Sequence, residues 1–168
     1  MRRMRVPAVR GAVVGAVVAG ALAVGGLAVG GAVPAAAADV PEADLSYHGS
    51  AVLDRGRVEV RLTPRNHGPG DVPDATVRLR WSAPFADRPP VLPDGCARTG
   101  AREVVCRTGA LDADTPGERI VVEVWLADGP TEVTLSVETV WGGGAVDRNR
   151  ANDRQQVLVL DTGDAYFF

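Results

Sequence analysis

Hydrophobic and polar residues alternate with a period of two along several stretches of the chain after residue 39. In RVEVRLT, for example, Val58, Val60 and Leu62 alternate with charged residues. Successive side chains of a β-strand point to opposite faces, so this alternation predicts a strand with one buried and one polar face. The other such stretches are TVRLRW, ERIVVEVWLA, EVTLSVETVW and QQVLVLD. None of the chain after residue 39 has a convincing helical period, so the pattern predicts an all-β fold.

The alternation also predicts which side chains face the core. The inward residues of the middle strands are Val77, Leu79 and Trp81; Ile120, Val122, Val124 and Leu126; and Val133, Leu135, Val137 and Trp141. Segments rich in proline, glycine, aspartate and asparagine separate the strands, as turns do. Short strands with one polar face each predict an antiparallel β-sandwich of about seven strands.

The first 38 residues have the composition of a secretory signal peptide. Arginines precede an uncharged run at residues 11–33, and Ala36 and Ala38 supply the small residues before a cleavage site. The uncharged run is also long enough to span a bilayer, so a retained membrane anchor is the alternative. Its seven glycines weaken a helix, which favours cleavage after Ala38 and a secreted chain without a stable membrane anchor.

The charge of the chain narrows the classes of partner. After residue 38 it carries 14 arginines, no lysine and 21 acidic residues, which gives a net charge of −7. Nucleic acids bind basic surfaces, and anionic membranes attract basic segments. Both are therefore disfavoured, and an extracellular or envelope protein of unknown identity is the expected partner.

The two cysteines, Cys96 and Cys106, are predicted to pair across a hairpin. If residues 100–102 form a three-residue loop, Cys96 lies directly opposite Cys106, at a separation that a disulfide can bridge. The spacing to His48 and His67 does not fit a zinc finger, and no Cys-x-x-Cys redox motif is present. An even pair in an exported chain predicts a structural disulfide.

Neither a catalytic centre nor a cofactor is predicted. The chain has no Gly-x-Ser-x-Gly motif. His48 lies near Ser46 and Ser50 and could act as a base for one of them. The simpler interpretation is an exposed histidine in a turn, and His67 fits the Asn-His-Gly-Pro turn in the same way. We therefore expect a non-enzymatic protein without catalytic residues.

Two carboxylate-rich turns raise the alternative of a calcium-binding module. They contain Asp112, Asp114 and Glu118, and Asp147, Asn149 and Asp153. Two arginines interrupt the second turn, and the glycine and terminal glutamate of an EF-hand loop are missing. Aspartate and asparagine are also ordinary turn residues, so no metal site is predicted.

The segment GDAYFF places Tyr166, Phe167 and Phe168 together in a chain that is only 5% aromatic. These residues could anchor a partner or add to a sheet edge. The alternative is that they fold back over an exposed end of the sandwich. We assign residues 39–162 to the domain and residues 163–168 to an aromatic tail, with the three aromatic residues as a candidate interaction site.

Four motifs occur in a fixed order along the chain. They are an Asn-x-Gly-Pro turn at Asn66–Pro69, Leu92-Pro93 shortly before Cys96, Cys106 leading into Gly109–Leu111, and an Asn-rich turn at Asn149–Asp153. Together they resemble the domain of unknown function 11 family, which comprises Ig-like modules of exported and cell-surface bacterial proteins. The resemblance implies that the sandwich is Ig-like, and that the protein is a non-catalytic module at or near the envelope. The chain departs from the family by having Asn152-Asp153 where two asparagines are usual, and by having one copy and no wall-sorting signal, which predicts free secretion.

Overall fold

The protein is described by a computed structural model that covers residues 40–168. The predicted signal peptide, residues 1–38, lies outside the described residues. Residues 40–168 form eleven β-strands and no helix, so the all-β prediction is confirmed. Accordingly, this part of the chain contains no helix with the length and apolarity needed to cross a membrane.

Seven of the eleven strands have five or more residues, in agreement with the predicted number. The strands are β1 (Glu42–Ala43), β2 (Leu45–Asp54), β3 (Arg57–Asn66), β4 (Thr76–Trp81), β5 (Cys96–Arg98), β6 (Glu103–Arg107), β7 (Ile120–Trp125), β8 (Glu132–Trp141), β9 (Val146–Asp147), β10 (Arg154–Leu160) and β11 (Ala165–Phe167). The alternating stretches correspond to β3, β4, β7, β8 and β10, while β2 was not predicted.

Two antiparallel sheets form the sandwich. One has the strand order β10-β8-β4-β6-β5 and the other the order β11-β2-β3-β7. The orders β2-β3-β7 and β10-β8-β4 correspond to strands A-B-E and G-F-C of the immunoglobulin fold. A short parallel pair, β1 and β9, closes one end. The predicted Ig-like sandwich is therefore confirmed.

The predicted inward residues of β3, β4 and β7 are all buried in one core between the sheets. Trp81 packs edge-to-face on Phe85, with ring centroids 5.1 Å apart. Burying an aliphatic or aromatic side chain of this size contributes about 1.5–3 kcal/mol relative to leaving it exposed. The main core thus explains the alternation without any functional role for these residues.

The prediction for Trp141 is wrong, because a β-bulge reverses its orientation. Val77 pairs with Thr139, but Thr76 pairs with Trp141, so Val140 is an extra residue in β8. Up to Thr139 the alternation holds, and Thr139 is buried. The extra residue turns the following side chain to the outer face of the sheet. Trp141 is consequently 51% exposed.

The cysteine pair forms the predicted hairpin. Cys96 pairs with Cys106 in the β5–β6 register, their Cα atoms are 4.0 Å apart, and the two sulfur atoms are bonded. The backbone N–H of Thr99 donates a hydrogen bond to the carbonyl of Glu103 and closes a loop of three residues, 100–102. The disulfide therefore staples β5, an edge strand, to β6.

Candidate interaction surface

The predicted aromatic tail is an edge strand of the four-stranded sheet. In this strand, β11, Tyr166 pairs with Ala51 and Phe167 pairs with Ser50 of β2. Two further hydrogen bonds join the backbones of Phe168 and Gly49, at 3.0 and 3.1 Å. Residues 165–168 are therefore part of the sandwich.

The three aromatic side chains alternate between the two faces of the sheet. Tyr166 and Phe168 pack against the main core, as expected if the segment folds back over the sandwich. Phe167 points to the other side and is 79% exposed. Of the three candidate interaction residues, only Phe167 presents most of its ring to a partner.

A groove with a volume of about 400 Å³ lies beside Phe167 on the four-stranded sheet. It is lined by His48, Gly49, Ser50, Arg61, Thr63, Arg119, Phe167 and Phe168. Two of these side chains carry guanidinium groups, one an imidazole and two hydroxyls, and none is acidic. We call these eight residues the basic groove.

The strand register assembles the basic groove from four segments that are distant in sequence. Phe167, Ser50 and Arg61 form one row across β11, β2 and β3. In the next row His48 pairs with Thr63, and Arg119 directly precedes the first residue of β7, beside Thr63. Residues two apart on a strand share a face, so both rows point outward.

The basic groove is a local exception on an acidic domain. Residues 40–168 contain 14 arginines and 20 acidic residues. A guanidinium nitrogen of Arg61 lies 2.7 Å from a carboxylate oxygen of Glu59. By contrast, neither Arg119 nor His48 forms an ion pair with any side chain in residues 40–168. Their donors are therefore available to an incoming anion.

His48 is exposed, as predicted, but it lies in the middle of β2 and not in a turn. Ser46 is buried, whereas Ser50 is only partly covered. Within residues 40–168, no side-chain hydrogen bond joins His48 to either serine. The nucleophile–base contact that activates a serine is therefore not formed here.

Some of the carboxylates in the two carboxylate-rich turns are engaged within the protein. Asp114 lies 3.6 Å from a guanidinium nitrogen of Arg65. The carboxylate of Asp147 accepts hydrogen bonds from the backbone N–H groups of Leu45 and Asn149, at 2.9 and 2.8 Å. In residues 40–168, no group of three or more histidine, cysteine, aspartate or glutamate side chains is arranged to hold a metal ion.

Asp153 is a charged residue at a fully buried position. Its Oδ2 lies 2.9 Å from Nε of Arg150, yet neither carboxylate oxygen has a well-aligned hydrogen-bond donor. Burial raises the pKa of Asp153, and the negative charge of Asp147 adds to this effect, while Arg150 and Arg154 oppose it. The burial of Tyr47 itself, together with the negative charges of Asp153 and Asp147, raises the pKa of Tyr47 to about 12, although its hydrogen bond with Thr139 opposes this.

Replacing Asp153 with asparagine should therefore stabilise the protein at neutral pH. A carboxyl group with a higher pKa in the folded than in the unfolded state stabilises the fold at low pH. That contribution is lost as the pH rises from about 3.8, the unfolded value, through the raised folded value. The melting temperature of Asp153→Asn should therefore rise relative to that of wild type as the pH is raised from 3 to 7.

The control for this experiment is Asp87→Asn, which changes the same charge at an exposed position. Its melting temperature should follow that of wild type across the pH range. A difference between Asp153→Asn and wild type that stays constant with pH would contradict the buried-carboxylate argument.

Comparison of the chain with protein-family models, with curated proteins and with solved structures finds no match in any of the three.

Proposed function

We propose that this protein is a secreted, non-enzymatic Ig-like module that mediates protein interactions outside the cell or at the bacterial envelope. We also propose that it is related to the domain of unknown function 11 family. The observation that carries the functional proposal is Phe167, which is 79% exposed beside the basic groove. Exposed aromatic residues next to arginines are typical of the centres of protein interfaces.

The cysteine pair supports an exported location. Disulfides persist in oxidising compartments and are rare in the cytosol. The bond between Cys96 and Cys106 leaves no free cysteine in the chain. The order of basic, apolar and small residues at the start of the chain is that of a secretory signal peptide and also supports export.

An interaction role also requires less rearrangement of side chains than ion binding does. The carboxylates of Asp114, Asp147 and Asp153 are engaged by arginines or by backbone N–H groups. Calcium would have to displace these contacts to recruit its usual six to eight oxygen ligands. The side chains of the basic groove require no such rearrangement.

The proposal predicts that Phe167→Ser abolishes capture of an envelope or extracellular partner. Removing residues 163–168 is a less specific test, because Tyr166 and Phe168 pack on the core. Capture should be quantified by mass spectrometry after cross-linking at the surface of the producing cells. The matched control is Leu158→Ser, which removes a 51% exposed apolar side chain from the other sheet.

Equal capture by wild type and Phe167→Ser would contradict an interface at this position. Export is tested by the intact mass of this protein itself, recovered without cross-linking from the culture supernatant and from the membrane fraction. A chain that begins at Asp39 and is about 2 Da lighter than its reduced form would show both cleavage and the disulfide. An uncut chain in the membrane fraction would instead favour the anchor alternative.

A further inference from the structure

We propose that the basic groove binds a short, extended acidic segment of a partner protein, with an apolar residue of that segment against Phe167. The inference rests on the proposed interaction function and specifies the chemistry of the partner. It follows from the spacing of the groove residues, from their charge and from the exposed ring at one end.

The spacing sets the length of the segment. Phe167 lies on β11 and Arg119 lies at the start of β7, three strands away in the order β11-β2-β3-β7. Neighbouring strands are about 4.8 Å apart, so the groove extends about 14 Å across the sheet. An extended peptide advances about 3.4 Å per residue and would cover this distance with about four residues.

The charges set the sequence of the segment. Arg119 can donate two parallel hydrogen bonds to a carboxylate, a geometry that guanidinium groups favour. His48 and Arg61 lie between Arg119 and Phe167 and offer further N–H donors, of which those of Arg61 are shared with Glu59. The fitting segment therefore has an apolar residue at one end and carboxylates two to three residues further along.

The hydroxyl groups in the groove fit the same type of ligand. Ser50 lies next to Phe167 in one row, and Thr63 lies between His48 and Arg119 in the other. Neither hydroxyl hydrogen-bonds to another side chain in the described range, so both can bind peptide N–H or C=O groups. Both the N–H and the C=O groups of a peptide can use these hydroxyls, as donors and as acceptors, whereas an inorganic anion can only accept from them.

The direct test is a titration of the purified protein with the peptide acetyl-Leu-Gly-Glu-Glu-amide at low ionic strength. We expect saturable binding that weakens as salt is raised from about 0.01 M to about 0.15 M, because the pairs are exposed. The uncharged peptide acetyl-Leu-Gly-Gln-Gln-amide should bind more weakly, and so should inorganic phosphate. Backbone amide shifts in an NMR titration would locate the peptide on β2, β3 and β11.

Substitutions in the basic groove test which of its residues contact the peptide. Arg119→Gln should weaken binding of the glutamate peptide about two- to fivefold, as expected for an exposed charge pair. Phe167→Ser should weaken the binding of both peptides, since it removes the apolar contact. Arg102→Gln removes the same charge from the β5–β6 loop of the other sheet and should leave the affinity unchanged.

Absence of binding at low salt, or equal weakening by Arg119→Gln and Arg102→Gln, would overturn the proposal. Phosphate that binds as tightly as the glutamate peptide would also overturn it, because the groove would then recognise an anion and not a peptide. Each of these results leaves the proposed interaction function testable, since loss of partner capture by Phe167→Ser does not depend on the charge of the partner.

Discussion

Replacing Asn66 with alanine should destabilise the fold by about 3 kcal/mol or more, because several buried polar groups would lose their partners together. The Asn66 side chain is fully buried. Its Oδ1 accepts hydrogen bonds from the backbone N–H groups of Gly68 and Asp44, at 2.9 and 3.3 Å. Its Nδ2 donates to the carbonyls of Gly70 and Leu111, at 2.8 and 3.3 Å.

The substitution Asn66→Asp separates the effect of losing the amide N–H donors from the effect of losing side-chain volume. An aspartate of the same shape keeps the two acceptor contacts but cannot donate to the carbonyls of Gly70 and Leu111. The buried carboxylate would also face carbonyl oxygens, so this substitution should be about as damaging as alanine at neutral pH. Urea denaturation at pH 7 gives the free energy of unfolding for each variant.

The control is Asn149→Ala, since Asn149 is exposed and makes one long side-chain contact, 3.4 Å, to Asp44. Its free energy of unfolding should change by less than about 0.5 kcal/mol. A loss of under about 1 kcal/mol for Asn66→Ala would show that water or a local shift replaces the four hydrogen bonds.

The position of Asn66 also gives the motifs a structural explanation. The Asn-x-Gly-Pro turn and the Gly-x-Leu motif meet where Asn66 donates to the carbonyl of Leu111. A side chain added at Gly68 would lie 2.5 Å from the Cα of Ala43, so only glycine fits there. These motif residues hold one end of the sandwich together, and a ligand is not needed to account for them.

The fold was largely predictable because alternation is a local property of the sequence. β2 was missed because its inward positions include Gly49 and Ala51, which give a weak hydrophobic signal, and because Ser46 is buried next to Tyr47. The orientation of Trp141 was missed because a single extra residue in β8 is not visible in the pattern. It becomes evident only from the pairing with β4.

The basic groove could not be predicted from the sequence for a different reason. Phe167 and Arg61 lie in one row only because β11 pairs with β2, and β2 pairs with β3. Such neighbours are set by topology, whereas composition and spacing report on single strands. The aromatic segment was a usable signal, but only the strand register separates the partly buried Tyr166 and Phe168 from the exposed Phe167.

Opening the disulfide should cost about 2.8 kcal/mol in the free energy of unfolding, the chain-entropy value for so short a loop. Cys106 is buried in the main core, so Cys106→Ser would add the cost of a buried hydroxyl. The double variant Cys96→Ala/Cys106→Ala avoids that cost but loses some packing. Comparing oxidised with reduced wild type removes both complications, and urea denaturation of the two forms gives the difference.

Reduction should also have a local effect, because the two strands that the disulfide joins have different numbers of hydrogen-bonded neighbours. β6 pairs with β4 as well as with β5, whereas β5 has three residues and lies at the sheet edge. On reduction, backbone amides of β5 should exchange by local opening of the hairpin, while those of β4 and β8 should speed up by no more than the loss in the free energy of unfolding accounts for. Unchanged unfolding free energy and unchanged exchange in β5 would mean that the hairpin is held by its own hydrogen bonds. Exchange in β4 and β8 that becomes as fast as in β5 would instead mean that opening the hairpin opens the whole sheet, and that the hairpin is an integral part of it.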